Sequence, residues 1–336
     1  MIKIKTTHEA HMNSLDPDQI FSFKLDDFQL QAIKAINQGS SVVVSAPTGS
    51  GKTLIGEYAI YRAIAHGQKV FYTTPLKALS NQKLRDFREQ FGPDVVGLMT
   101  GDLSLNRDAS IIIMTTEIFR NMLYAEVDDN DDLLSEVETV VLDECHYMND
   151  SQRGTVWEES IIHCPTSVQL VALSATIANA GQLTDWIQQV HGPTELIFSD
   201  FRPVPLTFSF CSSKGLHPLL NELGTGLHPN CKVWRPPKNH RRKGRSSKKT
   251  KPDTPEISFV LEQLADKEML PGIYFIFSRR GCDRAVKELG LVDLVNQHEK
   301  VLIHTRLKSY IISNPEGVRK GIHSDALLRG IASHHA

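Results

Sequence analysis

The stretch Ser41-Val-Val-Val-Ser-Ala-Pro-Thr-Gly-Ser-Gly-Lys-Thr53 decides the fold of this 336-residue chain. Its three consecutive valines predict a strand that is buried on both faces, as in a parallel sheet. Gly49 and Gly51 let several backbone N–H groups of the following loop converge on one anion. Lys52 can reach the phosphates of that anion, and the hydroxyl of Thr53 can bind Mg²⁺. The stretch therefore predicts a strand, a phosphate-binding loop and a helix, in that order.

The predicted phosphate loop departs from the usual pattern at one position, because Ala46 stands where glycine normally opens it. The helix that follows from Leu54 would add its positive N-terminal end to the same site. We therefore keep the prediction of a nucleoside triphosphate site. The predicted nucleotide-binding loop consists of Ala46, Pro47, Thr48, Gly49, Ser50, Gly51, Lys52 and Thr53.

Composition indicates a globular protein of about two domains, because 40% of the residues are hydrophobic and 23% are charged. No segment approaches the roughly 20 apolar residues of a membrane span, and the N-terminus lacks the apolar core of a secretory signal. The five cysteines show no Cys-x-x-Cys pair, which favours reduced thiols. We therefore expect a cytoplasmic protein without membrane contact.

The net charge of −2 hides an uneven distribution. Residues 232–251 carry ten of the 37 basic side chains and no acidic one, which leaves 27 basic against 39 acidic residues elsewhere, a balance of −12. Prolines, glycine and serines within the segment predict a flexible linker. The alternative is an arm that attracts nucleic acid through its charge.

Buried strand patterns alternate with helical patterns, which predicts an α/β fold with a doubly wound parallel sheet. A helix is predicted over Leu54–Ala65, and another over Ile257–Leu264. The predicted strands are Val42–Val44, Lys69–Thr73, Val95–Met99, Ile111–Met114, Thr139–Leu142, Gln169–Leu173, Leu206–Phe210 and Ile273–Phe277.

Two acidic residues follow the predicted strand Thr139–Leu142. Asp143 at the strand end can hold Mg²⁺, and Glu144 can orient and deprotonate an attacking water. Two residues further, His146 is positioned to relay the geometry of the acids to a neighbouring strand. Ser174 and Thr176 follow another buried strand, where their hydroxyls can bond the acids, although capping of a local turn is the ordinary alternative.

These residues resemble the motifs of a DExH-box helicase of the second helicase superfamily. Ala46–Thr53 is similar to motif I, Asp143-Glu-Cys-His146 to motif II and Ser174-Ala-Thr176 to motif III. The surrounding sequence, including Phe23-Lys-Leu-Asp-Asp-Phe-Gln29, resembles the superkiller-type (Ski-like) RNA helicases over roughly residues 20–210. The resemblance implies two P-loop RecA-like lobes, with ATP and Mg²⁺ in the cleft between them and a single-stranded segment of RNA across the top.

The resemblance also implies roles for further residues. Phe23 would stack on the adenine, and Gln29 would hydrogen-bond the edge of the base. Three strand-end loops would contact the sugar–phosphate backbone, which needs hydrogen-bond donors but carries no sequence information. The residues implied in these loops are Pro75, Lys77, Thr100, Gly101, Thr115 and Thr116.

The resemblance divides the chain into five parts. An N-terminal segment covers residues 1–22, and the first RecA-like ATP-binding lobe covers 23–202. An exit strand and connector follow over 203–234, then the basic flexible linker over 235–255. Residues 256–336 would form a second RecA-like lobe that is incomplete, because Tyr274–Gly281 resembles motif IV but motifs V and VI are missing. We expect this last part to be the least stable.

The sequence therefore predicts an ATP-dependent RNA helicase. Motif VI supplies arginines to the γ-phosphate, and such an arginine accelerates hydrolysis about 10³–10⁵-fold. We accordingly expect the 336-residue chain to bind ATP but to hydrolyse it slowly. Two alternatives stay open, a DNA helicase of the same superfamily and a non-catalytic module that binds nucleotide or RNA.

Overall fold

The computed structural model describes residues 15–129, 134–150, 153–231, 255–313 and 324–334. The chain divides into two compact units, Met1–Pro205 and Leu206–Ala336. The predicted basic linker lies almost entirely outside the described residues. The finer division into five parts stays a prediction.

The first unit is built from strands and helices that alternate along the chain, as the sequence predicts. The strands are β1 Ser41–Ser45, β2 Lys69–Thr74, β3 Val96–Met99, β4 Ser104–Leu105, β5 Ile111–Thr115, β6 Val137–Leu142, β7 Gln169–Ser174 and β8 Thr194–Phe198. The helices are α1 Pro17–Ile20, α2 Asp27–Asn37, α3 Thr53–Ala65, α4 Lys77–Phe91, α5 Thr116–Asp129, α6 Gly154–His163 and α7 Ala180–Val190.

All eight strands form one sheet in the order β4-β3-β5-β2-β6-β7-β1-β8. Every neighbouring pair is parallel except β3 and β4, which run antiparallel. The doubly wound parallel sheet that the sequence predicts is therefore confirmed. Because the parallel strands share one direction, the loops that follow β1, β2, β5, β6 and β7 all emerge at the same edge of the sheet.

Two hydrophobic cores cover the two faces of this sheet. In β1, Val42 and Val44 face the core formed with α2, α3 and α4, whereas Val43 faces the core formed with α5, α6 and α7. Strand side chains point alternately to opposite faces, so an uninterrupted run of valines satisfies both cores at once. This packing fixes the strand ends that carry the predicted site residues.

The second unit contains a small antiparallel sheet and several helices. Its strands are β9 Ser209–Ser212 and β10 Gly215–Pro218, and its helices are α8 Ile257–Asp266, α9 Arg279–Glu288, α10 Gln297–Ser313 and α11 Ser324–Leu327. Helix α8 confirms the prediction for Ile257–Leu264, and Gln263 of this helix accepts a hydrogen bond from Leu216 N in β10 (3.3 Å). Among the described residues of this unit, these are its only two strands.

Two strand predictions for the second unit are wrong. The exit strand predicted over Leu206–Phe210 begins later, at Ser209. The segment Ile273–Phe277 forms no strand, and the side chains of Ile273 and Phe275 are 84% and 79% exposed. An extended apolar segment becomes a strand only when a neighbour pairs with its backbone, and no described residue does so here. A second RecA-like lobe therefore stays a prediction.

Among the described helices, none combines the length and the apolar character that crossing a membrane requires.

Candidate active site

The loop between β1 and α3 has the backbone shape that phosphate binding needs. Gly49 and Gly51 adopt positive φ angles of 86° and 84°, a conformation that side chains with a Cβ rarely tolerate. A Cβ on Gly51 would also lie 2.8 Å from Nε2 of Gln29. Ala46 N donates to Ser174 O at the end of β7 (3.2 Å), which anchors the start of the loop to the sheet.

Lys52 lies folded over this loop. Its Nζ donates hydrogen bonds to Ala46 O (2.7 Å) and Pro47 O (2.8 Å). Burial lowers the pKa of the Lys52 ammonium, while the negative charges of Glu144 and Asp143 act in the opposite direction. The two carboxylates are therefore close enough to Lys52 to affect its charge, and the ammonium can exchange its carbonyl partners for a stronger anionic one.

Asp143 follows β6 and is held by three hydrogen bonds. Its backbone N donates to Thr73 O (3.0 Å), its Oδ1 accepts from Glu144 N (3.0 Å), and its Oδ2 accepts from the Tyr72 hydroxyl (2.8 Å). Complete burial raises the pKa of Tyr72 well above its usual value, and the adjacent Asp143 carboxylate raises it further. Tyr72 therefore stays protonated and remains a donor to Asp143.

Thr53 and Asp143 come together around one cation. The ammonium of Lys83 in α4 donates to Thr53 Oγ1 (3.4 Å) and lies 3.9 Å from Asp143 Oδ2. One hydroxyl and one carboxylate within reach of a single position suit Mg²⁺, which binds one or two carboxylates and takes its remaining ligands from phosphates and water. Within the described part of the chain, no cluster of three or more His, Cys, Asp and Glu side chains offers a closed metal cage.

His146 lies between the second acid and the end of β7. Its Nδ1 is 3.3 Å from Glu144 Oε2 and 3.3 Å from Ala175 N, which donates to it. A single ring nitrogen accepts from Ala175 when unprotonated and donates to Glu144 when protonated, but it does not do both. The ring thus joins the acidic segment Asp143–His146 to the segment Ser174–Thr176.

The two hydroxyls predicted to bond the acids do not do so in this structure. Ser174 is fully buried, and its Oγ donates to Ala175 O (2.8 Å). Thr176 is exposed at the same edge of the sheet. The Ser174 hydroxyl instead satisfies the carbonyl of the next residue, a local bond that serine commonly makes.

The two residues expected to hold the adenine differ in exposure. Phe23 is 58% exposed, with its ring centroid 5.9 Å from that of Phe21, so its face is open to a ligand rather than part of the core. Gln29 is buried, and its amide is already used at both ends. Its Oε1 accepts from Asp26 N (2.9 Å), and its Nε2 donates to Gly51 O (3.1 Å). In this structure Gln29 therefore ties α2 to the phosphate loop.

An open groove of about 450 Å³ lies at the ends of β2 and β5. Lys77 at its rim forms an ion pair with Asp102 (2.9 Å), and Thr100 Oγ1 donates to the same carboxylate (2.9 Å). The hydrogen bond from Lys77 lowers the pKa of Asp102. The predicted backbone contacts that line this groove are Pro75, Lys77, Gly101 and Thr115.

One predicted contact of this group is wrong. Thr116 is fully buried, and its hydroxyl donates to Thr74 O (3.3 Å) inside the sheet. The hydroxyl is therefore not available to a nucleic acid. Thr116 begins α5, and its hydroxyl is used by the carbonyl at the end of the neighbouring strand β2.

Sequence reasoning missed two residues of this site, Tyr72 and Lys83. Tyr72 lies in β2 beside β6, and the register of these strands brings its hydroxyl to Asp143. Lys83 lies on the inward side of α4, between the buried Ser80 and Phe87. The signal in the sequence was the spacing, because Lys83 lies three residues after Ser80 and four before Phe87, which places it near the buried face of α4.

The sequence of the first unit matches a known family. The DEAD/DEAH box helicase family matches residues 26–183. The chain is similar to the DExH-box ATP-dependent RNA helicase DExH15 of Arabidopsis thaliana, a chloroplast protein, with 46% identity over 94% of this chain and 30% of the relative. It is 36% identical to the ATP-dependent RNA helicase mtr4 of Schizosaccharomyces pombe, over 97% of this chain and 30% of the relative.

A bacterial relative shows the same pattern of coverage. The probable helicase HelY of Mycobacterium leprae is 39% identical over 94% of this chain and 36% of its own length. The chain thus spans about a third of the length of the curated relatives that it matches.

Proposed function

We propose that this chain, whose residues 26–183 match the DEAD/DEAH box helicase family, is part of an ATP-dependent RNA helicase. One observation carries the proposal: the phosphate-loop residue Thr53 and the strand-end acid Asp143 meet within reach of one cation position. Lys52 and Glu144 lie beside them. A phosphate-binding ammonium, a metal-binding pair and a candidate base thus occupy one edge of the sheet, as phosphoryl transfer to water requires.

Each of these residues has a distinct role in the proposed hydrolysis. Lys52 leaves the carbonyls of Ala46 and Pro47 and binds the β- and γ-phosphates. Thr53 and Asp143 would hold Mg²⁺, which would supply positive charge to the bound phosphates. Glu144 orients the attacking water and accepts its proton, because a carboxylate within hydrogen-bond reach of the water can act as general base. Phe23 supports the adenine by stacking.

We propose His146 as the link between hydrolysis and movement. Its Nδ1 reaches both Glu144 and the backbone N–H of Ala175, and it can satisfy only one of them at a time. A change in the charge at Glu144 would therefore alter the hydrogen bond at the end of β7. Ser174 and Thr176 lie on this strand end, so we infer that they transmit the change through the backbone of β7.

We propose the groove at Lys77 as the contact for the nucleic-acid backbone. The Lys77 side chain is 55% exposed and the Asp102 side chain 70%, so their ion pair is screened by solvent and costs little to exchange for a phosphate. Thr100, Gly101, Pro75 and Thr115 surround it. RNA is preferred over DNA in this proposal because similar relatives carry the name RNA helicase.

The proposal is tested by comparing ATP hydrolysis with ATP binding in the variant Glu144→Gln. Removing the base should lower hydrolysis about 10²–10⁴-fold and leave ATP affinity nearly unchanged. Glu195→Gln on the edge strand β8 is the matched control and should leave hydrolysis unchanged. Loss of ATP binding in Glu144→Gln, or unaltered hydrolysis, would contradict the role of Glu144.

A second arm of the experiment separates the alternatives. The hydrolysis rate is measured with single-stranded RNA, with DNA of the same sequence and with neither. Stimulation by RNA alone supports the RNA helicase, because the 2′-hydroxyl distinguishes the two polymers. Stimulation by DNA alone favours the DNA helicase. ATP binding with a hydrolysis rate no higher than that of Glu144→Gln favours the non-catalytic module.

We infer a cytoplasm-like, reducing compartment from the five cysteines, which are thiols in this structure. Burial raises the pKa of the Cys145 thiol to about 12, so this residue beside the acids stays protonated and inert. Thiol labelling of the folded protein would test this protection, since Cys145 should react more slowly than the half-buried Cys211 and Cys282.

A further inference from the structure

Lys83 occupies an unusual position for a lysine. It belongs to α4, but its side chain is only 15% exposed. Its ammonium contacts Thr53 Oγ1 at 3.4 Å and Asp143 Oδ2 at 3.9 Å. It also lies over two aromatic rings, 5.2 Å from the centroid of Tyr72 and 5.7 Å from that of Phe87. Four groups of the protein therefore hold this one cation in place.

Burial of a lysine requires compensation, because water solvates the ammonium strongly. Here the compensation comes from a carboxylate, a hydroxyl and the electron-rich faces of two rings. Tyr72 serves twice, since its ring lies under the ammonium while its hydroxyl donates to Asp143 Oδ2. The arrangement is built around the two oxygens that we propose as metal ligands, and Lys83 is their shared partner.

We propose that Lys83 is the resident counter-cation of the Thr53–Asp143 pair and that it competes with Mg²⁺ for this pair. The inference rests on the proposed function, because it assigns a positioning role at the same site. Without metal, the ammonium keeps the threonine hydroxyl and the carboxylate facing one another. When Mg²⁺ arrives with the nucleotide, the ammonium gives up both oxygens, and its long side chain allows it to move away.

The competition between Lys83 and Mg²⁺ follows from their positive charges and from the number of lone pairs that Asp143 can offer. A divalent ion and an ammonium at neighbouring positions repel each other, and the repulsion is strong where water is partly excluded. Asp143 Oδ2 already accepts from Tyr72, so little acceptor capacity remains for both cations at once. Lys83 therefore raises the Mg²⁺ concentration that the site needs, and it suppresses metal binding until the phosphates add their own ligands.

The experiment measures metal affinity directly. Mn²⁺ replaces Mg²⁺, and its binding is followed by electron paramagnetic resonance in the presence of a non-hydrolysable ATP analogue. Lys83→Met keeps an unbranched side chain of nearly the same length that can pack on the rings, but it removes the charge. We expect it to bind Mn²⁺ about tenfold more tightly than the wild type. Lys83→Arg, which restores the charge, should return the affinity towards the wild-type value.

Lys69→Met is the matched control. Lys69 also pairs with a carboxylate, that of Glu136 (2.7 Å), but it lies at the opposite end of β2 from the site. This variant should bind Mn²⁺ as the wild type does. A wild-type affinity, or a weaker one, in Lys83→Met would overturn the competition while leaving the proposed ATP site intact. Failure of the wild type to bind Mn²⁺ in the presence of the ATP analogue would overturn both the competition and the proposed ATP site.

Thermal unfolding provides a second readout. In EDTA without nucleotide, Lys83→Met should unfold at a lower temperature than Lys69→Met, because Asp143 loses its counter-ion. Mn²⁺ with the analogue should remove this difference, since the metal then replaces the ammonium. If Lys83→Met does not fold, Lys83→Gln takes its place in both measurements. A difference that persists with metal bound would count against competition.

Discussion

At the scale of single residues, one hydroxyl determines how Asp143 presents its carboxylate. Tyr72 OH donates to Asp143 Oδ2 from within the core, and complete burial of Tyr72 keeps its pKa high and its proton in place. The other carboxylate oxygen is fixed by Glu144 N. The direction of the acid is thus set by the neighbouring strand and by its own backbone.

Tyr72→Phe tests this orientation. The variant leaves the ring in place but removes the donor, so we expect a loss of about 0.5–1.5 kcal/mol in the free energy of unfolding. Hydrolysis should fall more than nucleotide affinity, because Asp143 is less well oriented towards the metal. Tyr61→Phe is the control, because among the described contacts the Tyr61 hydroxyl accepts a hydrogen bond only from the exposed Gln90. This variant should change neither the free energy of unfolding nor hydrolysis measurably.

Gly51→Ala tests the shape of the phosphate loop. The φ angle of +84° costs an alanine about 1–2 kcal/mol, and the new Cβ would displace Gln29 Nε2 from a distance of 2.8 Å. We expect lower stability together with weaker ATP binding. Gly181→Ala in α7 meets no heavy atom within 4 Å and has no positive φ, so it should be neutral or stabilising by up to about 1 kcal/mol. Equal changes in stability and ATP binding in Gly51→Ala and Gly181→Ala would contradict the importance of the loop conformation.

The sequence was most informative where a residue's chemistry depends on its position in a motif. Lys52, Thr53, Asp143 and Glu144 could be predicted because strand ends of a parallel sheet meet at one edge. The hydrogen bonds of Gln29 and the burial of Thr116 could not be predicted, since they depend on which neighbour lies closest. Tyr72 was missed for the same reason, because its contact depends on the register between two strands.

At the scale of elements, the first turns of α3 pack unusually close to the sheet. A Cβ on Gly56 would lie 3.1 Å from Tyr72 Cε2, 3.3 Å from Val141 Cγ1 and 3.5 Å from Leu173 Cδ1. Three strands therefore contact the helix at one glycine. This close packing sets the distance from Thr53, at the start of the helix, to the acid that follows β6.

Gly56→Leu tests the importance of this distance. The larger side chain cannot be accommodated without moving α3, so we expect a loss of about 1–3 kcal/mol in the free energy of unfolding. Nucleotide binding in the presence of Mg²⁺ should weaken as well, because Thr53 moves with the helix. Gly181→Leu, at an open position of α7, should preserve binding. Full nucleotide affinity in folded Gly56→Leu would show that the helix position is not critical.

Strands buried on both faces could be predicted from their apolar runs, whereas edge strands could not. β8 was missed because Thr194–Phe198 exposes several of its side chains and resembles a loop in sequence. β4 was missed because two residues provide no periodic pattern. The opposite error occurred at Ile273–Phe277, where an apolar run predicts a strand but pairing depends on a partner elsewhere.

At the scale of the whole molecule, charge is separated along the sequence. Ten basic residues lie within 232–251, while the rest of the chain carries a balance of −12. Attraction of a polyanion to an acidic protein must therefore be local. The basic segment lies outside the described residues, so its role as a tether or as an arm stays a prediction.

Deleting residues 235–252 tests whether the segment contacts RNA. If it acts as an arm, the logarithm of RNA affinity should depend less steeply on the logarithm of salt concentration, because fewer counterions are released. Replacing the same residues with a neutral glycine–serine linker of equal length controls for the loss of the tether. An unchanged slope in both variants would favour the tether.

The most direct test of the account is the Mg²⁺ dependence of ATP binding, measured by calorimetry in the wild type and in Asp143→Asn. We predict that the wild type binds ATP more tightly with Mg²⁺ than with EDTA and that Asp143→Asn loses this difference while retaining metal-free binding through Lys52. Wild-type binding that is indifferent to Mg²⁺, or an undiminished Mg²⁺ effect in Asp143→Asn, would contradict a single site formed by the phosphate loop and the strand-end acids.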